Sequence, residues 1–506
     1  MTDLRPTYVH PRARDYGAAG GPWDGPSLDV LLTTAARRAP RREVLVDESV
    51  SLRLTGRDLD ARVAAVAGGL RAAGVRRHDV VAWQSPNWHE SIVLYRACWR
   101  LGAIAAPVHH LAGPGDVDRI LAIVEPQVWL PREDVRGPGA RYEKLLEGEP
   151  VTTSSAHPAD LAAVLFTAGS TGEPKAVLHT QRGLAYKCRI MNLAHRLRPD
   201  DAIVMPAPLA HVSGLVNGVL VPGARPWRVH VVDRWSPEDA VALIEREQIT
   251  FMIGPPTFFV TMMATSGFTP ERVKSLRLVS AGGTGITAAF VEEASRTLGC
   301  RVKRSYGSTE APTITTSAAR DPARRAAFTE GRPIGMVELR VSDPITGTPR
   351  RAGQPGELWV RGPELFAGYV DAGQTRAAVT RGWLRTGDLA TVDEDRWLTI
   401  VGRLKDVIIR GGENIAALEV EGILEAHPDV RQAAAVGYPD ARLGERVCAF
   451  VVATRPFDLE HCQAWFAERG VAKFKTPERV VQIDELPTLA AGKPDKAALR
   501  ELAAKA

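Results

Sequence analysis

The densest run of chemically useful residues is Leu165-Phe-Thr-Ala-Gly-Ser-Thr-Gly-Glu-Pro-Lys175. An apolar stretch leads into small residues, two glycines and three hydroxyls (Thr167, Ser170 and Thr171), and ends on Pro-Lys. Glycine lets a backbone approach a ligand closely, and loop amides and hydroxyls donate to phosphate oxygens. Lys175 adds a point charge. The spacing does not match G-x-x-x-x-G-K-[ST], so this is not the P-loop of nucleoside triphosphatases. Lysine is scarce, eleven residues against fifty-three arginines, which makes Lys175, Lys405 and Lys493 informative where they occur in motifs.

A second group is Ser305-Tyr-Gly-Ser-Thr-Glu310. A carboxylate such as Glu310 suits Mg²⁺, which uses one or two carboxylates together with phosphate oxygens. Thr309 offers a donor for a phosphate, and the ring of Tyr306 a face for a base. Further along stand Ala281-Gly-Gly-Thr284, Pro208-Leu-Ala-His-Val-Ser-Gly214, Trp383-Leu-Arg-Thr-Gly-Asp388, Gly402-Arg-Leu-Lys-Asp406, Arg410-Gly-Gly-Glu-Asn-Ile415 and Leu486-Pro-Thr-Leu-Ala-Ala-Gly-Lys493.

Residues 167–175 fit Thr-[Ser/Ala]-Gly-[Ser/Thr]-Thr-Gly-x-Pro-Lys throughout. That pattern is the phosphate-binding motif of the acyl-adenylate-forming superfamily, which includes acyl-CoA synthetases, peptide-synthetase adenylation domains and firefly luciferase. The other motifs resemble the family's in order and spacing, over roughly residues 28 to 500. Two departures stand out: Ala490 and Ala491 replace the usual Thr or Ser, and Arg304 occupies a position where the family often has an acceptor for the adenine amino group. Arginine has no acceptor.

The resemblance implies a two-step reaction. A carboxylate attacks the α-phosphorus of MgATP, giving acyl-AMP and pyrophosphate, and a thiol then displaces AMP. Neither step needs an enzyme nucleophile, so catalysis is positioning and charge stabilisation. The implied catalytic set is Lys493, His211, Thr309 and Glu310, with Glu310 also holding Mg²⁺. Nucleotide and coenzyme A contacts are implied at Thr167, Ser170, Thr171, Gly172, Lys175, Gly282, Gly283, Thr284, Tyr306, Asp388, Arg403, Gly411 and Gly412. Asp388 and Arg403 fall on the ribose, His211 forms a wall between acyl pocket and thiol tunnel, and Lys405 is the hinge.

No acid stands in His211-Val-Ser-Gly-Leu-Val-Asn217 where amino-acid-activating relatives place one, so a plain carboxylic acid is expected, with free coenzyme A as acceptor. Asp440 also resembles the CoA synthetases, and Lys473 and Lys475 are candidate contacts for CoA phosphates. Gly282 and Gly283 leave space on one pocket wall; Trp227 and Phe258 would fill others. The alicyclic-acid and medium-chain CoA ligases are the resemblance for the acyl group. The alternatives are a ligase donating to a carrier protein, a luciferase-like oxygenase and an adenylate-binding pseudo-enzyme.

The elements that must position these motifs follow from length and pattern. The chain has 506 residues, 45% hydrophobic and 24% charged, which is the composition of a folded globular protein. A net charge of +5 without a basic stripe excludes a dedicated nucleic-acid binder. Five scattered cysteines without C-x-x-C predict free thiols in a reducing compartment. No signal peptide or membrane span is expected, so the predicted location is cytoplasmic, with homodimerisation left open.

Strand and helix signals alternate from residue 79 to 130 and again from 161 to 305, the rhythm of parallel sheet covered by helices. Short β-like segments follow Glu330. The predicted fold is α/β: a large N-terminal domain of doubly wound, mainly parallel sheets plus a β-rich subdomain, then a small, mobile α+β domain. The boundaries are an irregular arm over 1–27, the large domain over 28–404 with its β-rich part from about 331, and the small domain over 405–506.

Overall fold

The computed structural model describes residues 4–168, 174–283, 285–488 and 494–505. Two parallel sheets form the body. In the first, Val128–Leu130, Val80–Ser85, Ile104–His109 and Leu161–Ala168 run parallel, and Pro174–Thr180 closes the edge antiparallel to Leu161–Ala168. The second has nine strands, whose parallel centre is Arg301–Tyr306, Leu278–Gly282, Phe251–Gly254, Ala202–Met205, Arg228–Val231 and Glu43–Asp47.

Strands buried on both faces are apolar on both. Along the nine-stranded sheet Ile203, Phe251 and Leu278 enter one core, while Val204, Met252, Val279 and Val302 enter the other. Thr55 starts the helix Gly56–Ala72 through a capping box: Thr55 Oγ1 accepts from the Asp58 amide and Asp58 Oδ2 from the Thr55 amide. The box satisfies two otherwise orphaned donors.

An antiparallel sheet follows, containing Glu338–Ser342, Gly356–Arg361, Trp383–Val392 and Leu398–Arg403. Last comes an α+β unit. Its sheet is built on the long hairpin Val430–Asp440 and Gly444–Ala453, with helices Ala417–Glu425, Leu459–Glu468 and Lys496–Lys505. The predicted order of α/β body, β-rich part and α+β unit is the one observed.

Local differences have physical causes. Pro174–Thr180, which carries Lys175 from the end of the glycine-rich run, is a strand because each residue pairs with Leu161–Ala168. After His211 the chain is wound as a π-helical turn at Leu215–Leu220, and Pro222 follows in the short helix Val221–Ala224. A π-turn shifts the side chains off the 3.6-residue period used to read it. The arm over 1–27 contains a short helix, Ala13–Gly17, and docks on the β-rich part: Thr7 Oγ1 donates to Tyr369 O at 2.5 Å and Trp23 Nε1 to Pro363 O at 2.9 Å. All five cysteines are free thiols. No described helix is long and apolar enough to cross a membrane.

A buried ion pair joins the body to the β-rich part. Lys187, on the helix Gln181–His195, donates to Glu364 Oε1 at 2.8 Å and to Thr313 O at 2.9 Å, and both side chains are fully buried. Removing one partner strands a charge in a low-dielectric interior, at a cost of about 3–5 kcal/mol. Glu364→Ala is therefore expected to lower the unfolding midpoint markedly in a denaturant titration. The double change Lys187→Met with Glu364→Leu is expected to recover most of that loss.

Candidate active site

The strands of a parallel sheet deliver side chains to the crevice at their carboxyl ends, where ligands bind in open α/β sheets. Tyr306 ends the strand Arg301–Tyr306, and the next four residues carry the chain to Glu310. Gly307 permits the tight path, because a Cβ there would come within 2.3 Å of the Thr313 amide nitrogen. Ser308 Oγ accepts from the Ala311 amide at 3.2 Å and steadies the turn.

Each end of this loop is fastened to a distant segment. Tyr306 Oη donates to Asp388 Oδ2 at 2.5 Å, and Arg403 Nε meets Asp388 Oδ1 at 2.7 Å. Asp388 and Arg403 are directly opposite on the antiparallel strands Trp383–Val392 and Leu398–Arg403. Asp388 is buried and Arg403 exposed. Burial, with Asp388 beside it, holds the Tyr306 phenol well above its ordinary pKa, so it stays a donor. Both carboxylate oxygens of Asp388 are engaged, yet a carboxylate has about four lone-pair sites, so two further donors can be accepted.

At the other end, Tyr369 Oη donates to Glu310 Oε1 at 2.6 Å. Lys175 Nζ lies 5.3 Å from the centre of the Tyr369 ring, a cation–π distance. Lys175 itself is cross-strand from Thr167. Thr309 sits beside Glu310 in the same half-buried loop. Gly282 ends the neighbouring strand Leu278–Gly282, in register with Ser305, and Gly283 follows it. Ser170, Thr171, Gly172, Thr284 and Lys493 lie outside the described residues; the ends of the segment carrying Lys493 are bridged by Thr488 and Pro494.

His211 precedes the helix Val212–Gly214, and its amide donates to Pro208 O at 3.0 Å. The segment before it is clamped by Asn87, whose Nδ2 donates to Met205 O and Ala207 O at 3.0 and 2.9 Å and whose Oδ1 accepts from the Leu209 amide at 2.8 Å. Tyr95 Oη donates to Leu209 O at 2.8 Å. The His211 ring lies 4.9 Å from that of His109, which stacks on His110 at 4.6 Å. The sequence reading missed Asn87, His109, His110 and Tyr369; the one available signal was a His-His pair ending a strand. Phe258 packs tilted against Trp235 with ring centres 4.7 Å apart, whereas Trp227 is fully buried in the main core.

Arg304 is used structurally. Its Nη1 donates to Glu330 Oε1 at 3.0 Å, and Glu330 Oε2 accepts from the Ile400 amide at 2.8 Å, so the pair ties the nine-stranded sheet to the antiparallel one. Among the described residues one group has metal-ligand spacing, Asp47, His89 and Glu90. Arg136 already sits among them, with Nε 2.7 Å from Glu90 Oε1 and Nη2 2.5 Å from Asp47 Oδ2, so a guanidinium supplies the positive charge.

In the C-terminal unit Gly411 and Gly412 form the two-residue turn between Val407–Arg410 and Glu413–Ala416, with φ of +59° and +89°. Positive φ at both central residues is the type I′ requirement that glycine meets without strain. Lys405 lies in the short 3₁₀ turn Leu404–Asp406 and is exposed. Arg500 Nη2 donates to Lys405 O at 3.3 Å and pairs with Asp406 at 2.9 Å. Lys475 is engaged by Glu419 at 2.6 Å, and Asp440 Oδ1 caps the amides of Arg442 and Leu443.

Comparison with known proteins decides the family. The AMP-binding enzyme family model matches residues 32–370, and the model of the AMP-binding enzyme C-terminal domain matches 419–493. The chain belongs to the AMP-binding enzyme family. It is 33% identical to the medium-chain fatty-acid–CoA ligase of Escherichia coli K12, over 95% of this chain and 91% of that one. It is 34% identical to the 2-hydroxy-7-methoxy-5-methyl-1-naphthoate–CoA ligase of Streptomyces carzinostaticus, covering 96% and 95%. The crystal structure of ATP-bound MatB from Rhodopseudomonas palustris superposes with a TM-score of 0.87 at 27% identity, covering 94% and 98%.

Several histidines are buried neutral. Burial, with His211 and His110 nearby, lowers the His109 pKa to about 3, and burial lowers His10 and His179 to about 4. The unfolded chain binds these protons near the ordinary value of about 6.5, so between that pH and about 4 it binds more than the folded one. Stability is then fully present above pH 6.5 and lost as pH falls through the window. Denaturant midpoints at constant ionic strength are expected to decline from pH 7 to pH 4.5; equal midpoints would refute the assignment.

Proposed function

We propose that this chain is an ATP-dependent acyl-CoA ligase that makes acyl-AMP and pyrophosphate from a carboxylic acid, then transfers the acyl group to coenzyme A. The observation that carries this reading is the loop from Tyr306 to Glu310. One of its ends is bonded to the Asp388–Arg403 pair and the other, through Tyr369, reaches Lys175. Four sequence motifs spread over more than 200 residues thereby form one line, with an aromatic face and a carboxylate–guanidinium pair at one end and a carboxylate with a lysine at the other. That is the polarity of a nucleotide, base and ribose to phosphates. The relatives include CoA ligases, and the superposed MatB crystal binds ATP.

In this reading Tyr306 packs on adenine beside Gly282, Gly283 and Thr284, and Asp388 accepts from the ribose hydroxyls with Arg403 beside it. Thr167, Ser170, Thr171, Gly172 and Lys175 hold the β- and γ-phosphates, and Thr309 the α-phosphate. The donor set fits Mg²⁺, a hard cation that takes oxygen ligands, because Glu310 offers a half-buried carboxylate, bonded to the tyrosine whose ring faces Lys175. Bound there with the nucleotide, Mg²⁺ would neutralise phosphate charge. His211 stands between acid and thiol. Lys493 donates to the carboxylate and to the α-phosphate oxygens, where charge builds up in the transition state.

Lys405 is the hinge between the large domain, ending at residue 404, and the C-terminal unit. Arg500 donates to the Lys405 carbonyl and pairs with Asp406, so this contact belongs to the C-terminal unit and moves with it. Rotation carries Lys493 away and brings Gly411 and Gly412 towards the thiol path. No acid stands between His211 and Asn217, which favours a simple acid over an amino acid.

Incubation with ATP and a panel of aliphatic, alicyclic and aromatic acids is expected to give acid-dependent AMP and pyrophosphate, and acyl-CoA when CoA is added. ADP with orthophosphate as the main products would sink the reading. Acyl-AMP formation without any CoA thioester would instead point to a carrier-protein acceptor. Lys493→Ala is expected to slow ATP–pyrophosphate exchange by on the order of 10²–10³. The same variant, given synthetic acyl-AMP and CoA, is expected to form thioester at close to the wild-type rate.

A further inference from the structure

We infer that Tyr369 is a positioning residue for the metal–phosphate end of this site, acting on Glu310 through its hydroxyl and on Lys175 through its ring face. The inference rests on the reading of Glu310 as a Mg²⁺ ligand given above. Tyr369 lies outside every motif singled out in the sequence, yet its side chain meets both charged groups.

The geometry is specific. The hydroxyl donates to Glu310 Oε1 at 2.6 Å, and the same ring carries Lys175 Nζ 5.3 Å from its centre. A tyrosine can do both at once, because its donor lies in the ring plane and its negative potential on the face. The bond runs from a neutral hydroxyl to a carboxylate, a charge-assisted donation.

The ring is itself held firmly. Tyr369 is almost fully buried, its backbone bridges to Val177 in the strand of Lys175, and its amide donates to Thr375 Oγ1 at 2.9 Å. Thr7 of the N-terminal arm donates to its carbonyl. Phe366 packs edge-on against it at 5.0 Å, and the Phe366 amide donates to Glu310 O at 2.8 Å. Side chain and backbone of Glu310 are thus fixed by one segment, 366–369. A carboxylate so restrained has one oxygen committed to Tyr369 and presents the other in a set direction. Partners of this kind behind a metal ligand typically account for 10–100-fold in metal affinity.

The test compares Tyr369→Phe, Tyr369→Leu and Glu310→Gln with wild type. Two readouts are used: the Mg²⁺ concentration for half-maximal pyrophosphate exchange, and ATP binding by calorimetry with and without Mg²⁺. Thermal unfolding monitors the fold. Tyr369→Phe keeps the ring and loses the donor. It is expected to raise the Mg²⁺ requirement by about 10–100-fold and to weaken Mg²⁺-dependent ATP binding, with Mg²⁺-free ATP binding unchanged and kcat at saturating Mg²⁺ close to wild type. Tyr369→Leu also removes the ring face, and is expected to lower Mg²⁺-free ATP affinity by a further ~2–5-fold.

A wild-type Mg²⁺ requirement in Tyr369→Phe, alongside a shifted one in Glu310→Gln, would overturn the positioning role and leave the metal reading standing. No shift in either would overturn both. Equal Mg²⁺-free ATP binding by the Phe and Leu variants would refute the action on Lys175. A loss of kcat in Tyr369→Phe with unchanged Mg²⁺ dependence would mark the residue as structural only.

Discussion

The site depends on one constraint: a five-residue loop, Tyr306 to Glu310, is pinned at both ends by phenol–carboxylate hydrogen bonds. At one end a tyrosine donates to Asp388; at the other a tyrosine donates to Glu310. Bonds from a neutral hydroxyl to an ionised carboxylate are shorter and roughly twice as strong as neutral ones. Here Asp388 is buried and Glu310 half-buried, so solvent competes poorly for the acceptors. The nine-stranded sheet brings Tyr306 to its place, and the antiparallel sheet brings Asp388 opposite Arg403. The segment that ends at Tyr369 supplies the last anchor.

Holding three sheets around one loop requires fixed seams, and the seams are polar. Lys187 and Glu364 cross one, Arg304 and Glu330 another. Buried ion pairs are a poor source of net stability, because desolvation offsets most of their attraction. Their value here is directional. An apolar seam tolerates sliding, whereas a 2.8 Å bond from an ammonium to a carboxylate and a carbonyl fixes one register. Arg304 fits this account well. At its position an acceptor for a base was the family expectation; the arginine instead ties the strand of Tyr306 to the sheet of Asp388, through Glu330 and the Ile400 amide.

The His211 side is built differently. Its support is a backbone clamp: Asn87 uses both its amide nitrogen and its oxygen on the 205–209 segment, where Pro206 and Pro208 have no amide hydrogen to donate. The prolines that stiffen this stretch also remove its own hydrogen-bonding capacity, and a side chain from the neighbouring sheet makes up the difference.

The sequence by itself determined the fold class, the order of the parts and the motifs. Each of these is a local pattern: alternating strand and helix signals, a Gly-Gly turn at 411–412, and short runs such as Tyr306 to Glu310. The tertiary structure decided the rest, because the rest consists of meetings between residues far apart in the chain. Glu310 meets Tyr369 only where the antiparallel sheet docks against the strand Pro174–Thr180, and His109 meets His211 only across the face between the two parallel sheets. The same holds for the strand at 174–180, whose place is set by pairing with Leu161–Ala168 and by backbone bonds to the segment 367–370. A side chain's partner across a seam leaves no periodicity, so no local pattern could have revealed it.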